Sequence, residues 1–135
     1  MFVGAACGKA EEAINLYTSL IPNSEIIKIE KWTEGEPMSV AGQVKSALFT
    51  LEGTEYMASE NSAEHQFNFT PAISIFVECT DENEITSLYT ELSKEGTVYM
   101  PLDNYGFSKK FTWIGDRFGV AWQLNLVAED RKSVV

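Results

Sequence analysis

The chain has 135 residues, with 10 Lys and Arg against 20 Asp and Glu and a formal net charge of -10. That balance repels phosphate backbones and anionic lipid surfaces, so no nucleic acid and no membrane is expected as a partner. Apolar residues make up 44% of the chain, enough to fill the core of a single folded domain, yet no apolar run approaches the roughly 20 residues needed to cross a bilayer.

The N-terminus has neither the basic stretch nor the long apolar stretch of a secretion signal, so a cytoplasmic location is expected. In that compartment Cys7 and Cys79 are expected to be reduced and buried rather than paired.

In chain order, Met1-Phe2-Val3 is a short apolar start interrupted by Gly4 and Gly8. Ala10, Ala13, Ile14, Tyr17, Leu20 and Ile21 then fall at helical spacing, with Glu11 and Glu12 at the positive end and Pro22 as the stop. Strands follow at Ile26 to Trp32, Val44 to Leu51 and Tyr56 to Ala58, rich in β-branched and aromatic residues. Another strand, Ala72 to Cys79, leads into a helix bearing Ile85, Leu88, Tyr89 and Leu92. Asp81 and Glu84 have the spacing of a capping box, and Gly96 is read as the stop. Thr97 to Met100, Phe111 to Ile114 and Val120 to Leu126 complete the strands. Loops are expected at Thr33 to Gly42, Glu60 to Thr70 and Pro101 to Ser108.

The order strand, helix, three strands therefore occurs twice, and the wording repeats with it. Cys7, Glu12, Leu16, Tyr17, Thr18 and Leu20 recur as Cys79, Glu84, Leu88, Tyr89, Thr90 and Leu92. Shared helical periodicity explains the leucines and tyrosines but not the Cys, Glu and Thr matches. Gly53-Thr54-Glu55-Tyr56-Met57 also lines up with Gly119-Val120-Ala121-Trp122-Gln123. The fold class read from this is α+β, with two βαβββ modules in tandem, about 1-66 and about 67-135, in one domain. Asp116-Arg117-Phe118-Gly119 reads as a hairpin turn rather than a catalytic acid.

Four motifs give a resemblance. They are Ala10-Glu11-Glu12-Ala13 running into Leu16-Tyr17-Thr18-Ser19-Leu20, Phe69-Thr70-Pro71-Ala72-Ile73-Ser74, Met100-Pro101-Leu102-Asp103, and Asp116 through Leu124. Together they resemble the PhnB-like branch of the vicinal oxygen chelate superfamily, the glyoxalase, bleomycin-resistance and dioxygenase proteins. The resemblance implies glyoxalase-like curved mixed sheets, a cup-shaped pocket in each module and a homodimer. One departure is the first strand, which is shortened or interrupted ahead of the Ala-Glu-Glu-Ala helix and could be completed by a partner chain.

Metal-using relatives place ligands on the first and last strands of each half. Carried over by motif and repeat, those positions are Ser74 and Gln123 in the second half, and Phe2 and Met57 in the first. Divalent ions take carboxylate oxygens or imidazole nitrogens, so no metal ligand and no cofactor is assigned. The expected ligand is a small apolar or aromatic molecule, bound by Met57, Ser74, Tyr105, Phe111, Trp113, Trp122 and Gln123, with the sole histidine, His65, as a further polar handle. The competing role of the aromatics is core packing, and that of His65 is a loop residue beside Phe67. No catalytic residue is assigned. The alternatives are a metal-dependent glyoxalase- or dioxygenase-type enzyme with an atypical site, the ubiquinone-precursor methyltransferase activity with which this branch has been labelled, and a dimeric scaffold without a ligand.

Overall fold

The computed structural model describes residues 1-37 and 39-127, and the chain folds as two compact units, Met1–Asn68 and Phe69–Val135. Among the described residues there are two α-helices and seven strands in two sheets, an α+β fold, and no helix is long and apolar enough to cross a membrane.

In the first unit, a 3-10 turn at Gly4–Ala6 precedes helix α1 (Ala10–Leu20), then strands β1 (Glu25–Lys31), β2 (Val44–Leu51) and β3 (Thr54–Ala58). They form an antiparallel sheet of order β1-β2-β3. Helix α1 buries Ala10, Ala13, Ile14 and Tyr17, the stripe its spacing predicts, against the sheet residues Ala47, Phe49 and Leu51. The β2 to β3 hairpin turns on Glu52 and Gly53, both at positive φ, the conformation that two-residue hairpin loops require. Of the opening strand only one residue pairs. Phe2 forms a parallel bridge with Glu60, its N–H donating to Ser59 O at 2.8 Å and its carbonyl accepting from Asn61 N at 3.3 Å.

The second unit has β4 (Ile75–Cys79), α2 (Glu82–Leu92), β5 (Thr97–Asp103), β6 (Lys110–Gly115) and β7 (Ala121–Leu126), in a sheet of order β4-β7-β6-β5. Strand β4 runs parallel to β7, and the other pairs are antiparallel. Asp81 caps α2, its Oδ1 accepting from Glu84 N at 2.8 Å, while Glu84 Oε1 accepts from Thr80 N at 2.6 Å. That closes the first turn of α2 from both sides. Ile85, Leu88 and Leu92 are buried on the sheet face that carries Val77, Ile114, Trp122 and Leu124.

Three details differ from the sequence reading. Strand β4 starts at Ile75, because Pro71 and Ala72 form a turn that bends at Ile73. Strand β5 continues through Pro101 to Asp103, where a loop is expected. As the sheet's last strand it needs no donor from Pro101, and its register shifts between Met100 and Asp103. At the end of α2 the left-handed residue is Glu95, with φ 58, not Gly96. Gly96 serves a close approach instead, since a Cβ there would lie 2.1 Å from Gly115 O.

Candidate functional site

Alternation along the second sheet separates its residues into two faces. The register Phe76↔Gln123, Trp113↔Gln123 and Met100↔Trp113 puts these four side chains on the face away from α2. Phe111, Asn125 and Glu78 share that face one step along, and Ser74 lies on it just ahead of β4.

Two polar pairs cross from β4 to β7 on this face. Gln123 Nε2 donates to Ser74 Oγ at 2.8 Å, and Asn125 Nδ2 donates to Glu78 Oε2 at 3.2 Å. Phe76, 52% exposed, stands between them. Beside them the Tyr99 and Trp113 rings pack at 4.9 Å between centroids, and the indole N–H of Trp113 is buried with no hydrogen-bond partner among the described residues. At the far end Phe107 and Phe111 meet edge to face at 5.1 Å, with Tyr105 6.2 Å from each. The Tyr105 hydroxyl donates to Pro101 O at 2.6 Å, which fixes that loop over β5. The face is thus an aromatic floor with a small polar row along one side, a surface suited to a flat, mostly apolar molecule.

Of the residues expected to bind a ligand, Ser74, Gln123, Trp113, Phe111 and Tyr105 belong to this face or its rim. Trp122 does not. It is fully buried on the α2 face, and its Nε1 donates to Asp116 Oδ2 at 2.9 Å. The strand's period of two sends Trp122 and its neighbour Gln123 to opposite sides, so the expectation of a shared lining is corrected here. Asp116 is structural, as the turn reading holds: its Oδ1 accepts from Phe118 N and Val120 N at 2.9 and 3.0 Å.

Met57 and His65 lie in the first unit. Met57 is 74% exposed on β3, while Phe2, its partner position by the repeat, is buried and pairs three residues further on, at Glu60. An ungapped repeat register therefore fails in the first half, and these two positions do not form a counterpart of the Ser74 and Gln123 pair. His65 packs on Phe67 with ring centroids 4.8 Å apart, and its Nε2 lies 3.3 Å from Asn61 Oδ1.

Phe76, Glu78, Asn125 and Tyr99 were not singled out from the sequence. The signal for Phe76 and Glu78 was present, since both lie at period two from Ser74. Tyr99 reaches the face through the register shift between Val98 and Met100, which no local pattern announces.

Metal-using members of the resembled superfamily hold a divalent ion at these strand positions, and the residues present here do not fit one. Ser74 and Gln123 are joined by one hydrogen bond, and a hydroxyl with a carboxamide is a poor donor set for such ions. Among the described residues no group of three or more His, Cys, Asp or Glu side chains is placed to hold a metal ion. Elsewhere, Cys7 Sγ donates to Gln43 Oε1 at 3.4 Å, and burial, followed by the nearby charge of Glu60, pushes its thiol above the ordinary value.

Two helix-backed sheets built from one repeated order, the second with a parallel outer strand and an open aromatic face, define a glyoxalase-like protein of the vicinal oxygen chelate type. A family model described as 3-demethylubiquinone-9 3-methyltransferase matches residues 1–125, and the chain belongs to this PhnB-like family. Among solved structures, the PhnB protein from Bacillus cereus, described under the same methyltransferase name, is 47% identical. The match covers 90% of this chain and 93% of that one, with a TM-score of 0.85. Protein PA1353 from Pseudomonas aeruginosa is 24% identical over 93% of each chain, with a TM-score of 0.79. A glyoxalase/bleomycin resistance protein/dioxygenase from Alicyclobacillus acidocaldarius shares the fold at 9% identity and a TM-score of 0.52, over 90% of this chain and 85% of that one. No curated protein matches the chain.

Proposed function

We propose that the chain binds a small aromatic or amphipathic molecule on the open face of the second sheet, without a metal. The observation that carries this reading is the Gln123 to Ser74 hydrogen bond set between Phe76 and Trp113. It leaves one amide oxygen and one hydroxyl hydrogen to orient a ligand, and aromatic area to hold it. The same reading takes the protein as a cytoplasmic homodimer; light scattering tests the dimer, and fractionation of the cells tests the location.

The test is a thermal-shift screen of planar compounds with a chelator present. A ligand held at about 100 times its Kd stabilises by roughly 2.7 kcal/mol, and Gln123→Ala should lower that shift while Tyr105→Phe keeps most of it. A shift that appears only with an added divalent ion would favour the metal-dependent enzyme instead. Methyl transfer to a ubiquinone precursor is a second reading, favoured only by the descriptions of the family and of the Bacillus cereus relative. It requires that S-adenosylmethionine itself stabilise the protein.

A further inference from the structure

The open face of the second sheet carries charge of one sign only. Phe76, Gln123, Trp113 and Met100 form one cross-strand row, and the register Glu78↔Asn125, Phe111↔Asn125 and Asp103↔Phe111 forms the row beside it. Asn125 and Phe111, in the middle of that second row, are buried, while Glu78 and Asp103 at its ends are exposed. Two carboxylates therefore stand at the corners of the aromatic row, three strand spacings or roughly 14 Å apart.

No base on the sheet offsets them. The one Lys or Arg within β4, β5, β6 and β7 is Lys110, and its register with Leu126 puts it on the α2 face. Neighbouring Lys109 pairs with Glu82 at 3.5 Å. Neither Glu78 nor Asp103 forms an ion pair among the described residues.

The two carboxylates are held differently. Asp103 turns back to its own chain, Oδ1 accepting from Asn104 N at 2.7 Å. Glu78 is aimed from below: buried Asn125 donates from Nδ2 to Glu78 Oε2, which leaves Oε1 with no partner among the described residues. A carboxylate kept for solubility alone needs no buried amide to hold it, and an amide placed in a sheet interior is costly unless its bonds are made. By period two along β4, Glu78 stands next to Phe76, whose ring is half exposed. Across from Phe76, Gln123 Oε1 is a second open acceptor. Beside an exposed ring, the face thus offers acceptors and negative charge to a group that donates and is positive.

We propose that the molecule held on this face is an organic cation: a planar ring bearing a protonated amine, the ring lying on Phe76 and Trp113 and the ammonium donating to Glu78 Oε1. This rests on the reading of the face as the binding site given above, and adds the charge of what it binds. Aromatic faces attract cations, the carboxylate adds a charge-assisted hydrogen bond, and the net charge of -10 draws cations toward the chain. An aryl carboxylate of the same size is disfavoured by all three.

Three probes of one shape test this: naphthylmethylamine, naphthylmethanol and naphthoate, each titrated calorimetrically into the full chain with a chelator present. The amine should bind about tenfold more tightly than the alcohol, and the naphthoate more weakly than either. About 0.5 M salt should reduce the amine's advantage and leave the Kd of the alcohol unchanged. Glu78→Gln keeps an oxygen to accept from Asn125, so the sheet is retained; it should weaken the amine about fivefold and leave the alcohol within about twofold. Asp103→Asn should leave the amine's advantage in place. If the alcohol binds as tightly as the amine, or the advantage survives Glu78→Gln, the proposal is overturned although the face still binds a ring. If none of the three binds, the reading of the face as a binding site fails and the proposal falls with it.

Discussion

Asp116 and Trp122 illustrate how a turn and a core residue depend on one another, and the dependence can be measured. The Asp116 carboxylate accepts from two backbone N–H groups of its own turn and from the buried Trp122 indole. Asp116→Asn keeps one oxygen for the turn but directs an amide donor at the indole donor, leaving a buried N–H without an acceptor. That costs about 1 to 3 kcal/mol. Asp116→Ala removes all three acceptor contacts, and since water can re-satisfy part of the turn the cost is about 3 to 5 kcal/mol. Trp122→Phe removes the donor and leaves a small cavity, for about 1 to 3 kcal/mol.

The decisive quantity is the coupling. With Phe at position 122 the amide of the Asn variant no longer faces a donor, so the double variant should be more stable than the summed single effects by about 1 to 2 kcal/mol. Urea unfolding of the four proteins, followed by far-ultraviolet circular dichroism, gives each value at common denaturant slopes. If the two substitutions add within about 0.5 kcal/mol, the indole is not what makes an acid necessary at position 116, and the reasoning fails.

Two further outcomes follow from local geometry. Gly96→Ala places a methyl group against the Gly115 carbonyl and the Asp116 backbone, neither of which can rotate away, so a loss of at least about 1 to 3 kcal/mol is expected in the same unfolding assay. Glu36 is lowered to about 2 by its hydrogen bond to Lys45 and then by those from Thr33. Because its folded value lies below the ordinary 4.5, its contribution to stability is present above pH 4.5 and fades as pH falls toward 2. Lys45→Met should return the Glu36 titration, read by carbon NMR of its carboxyl, toward 4.5, and high salt should move it the same way.

Both helices were legible in the sequence because each buries a single stripe at the period that sequence reading detects: Ala10, Ala13, Ile14 and Tyr17 in one, Ile85, Leu88 and Leu92 in the other. The Asp81 cap was legible because its partner is three residues away. What was missed depends on contacts distant in sequence. Gly96 resembles a helix stop, yet its neighbour is Gly115 on another strand. The aromatic reading of the site took Trp122 and Gln123 together, although consecutive strand residues face opposite ways, and it passed over Phe76, which period two from Ser74 would have supplied. Tyr99 could not be placed at all, since a shift in strand register has no local signature.

The same contrast between near and distant partners predicts that the two helices begin by different means and fail differently. Helix α2 is capped by Asp81 within its own first turn. Helix α1 has Lys9 at the corresponding position, with no side-chain cap. One of its free N–H groups, that of Ala10, is met by Glu60, whose Oε2 accepts from Ala10 N and from Gly8 N while Oε1 accepts from Val44 N at 2.7 Å. Glu60 is buried, and its own backbone stands opposite Phe2. One side chain thus ties the opening segment, the start of α1 and β2 together. Asp81→Ala, an exposed cap, should cost about 1 kcal/mol and fray only the first turn of α2. Glu60→Ala strands several buried donors and should cost about 3 kcal/mol or more. Hydrogen exchange separates the two: Glu60→Ala should speed exchange at Ala10, Val44 and Asn61 together, where loss of an ordinary cap would affect Ala10 and its helical neighbours alone. Unchanged exchange at Val44 and Asn61 would show that the first unit does not depend on this carboxylate.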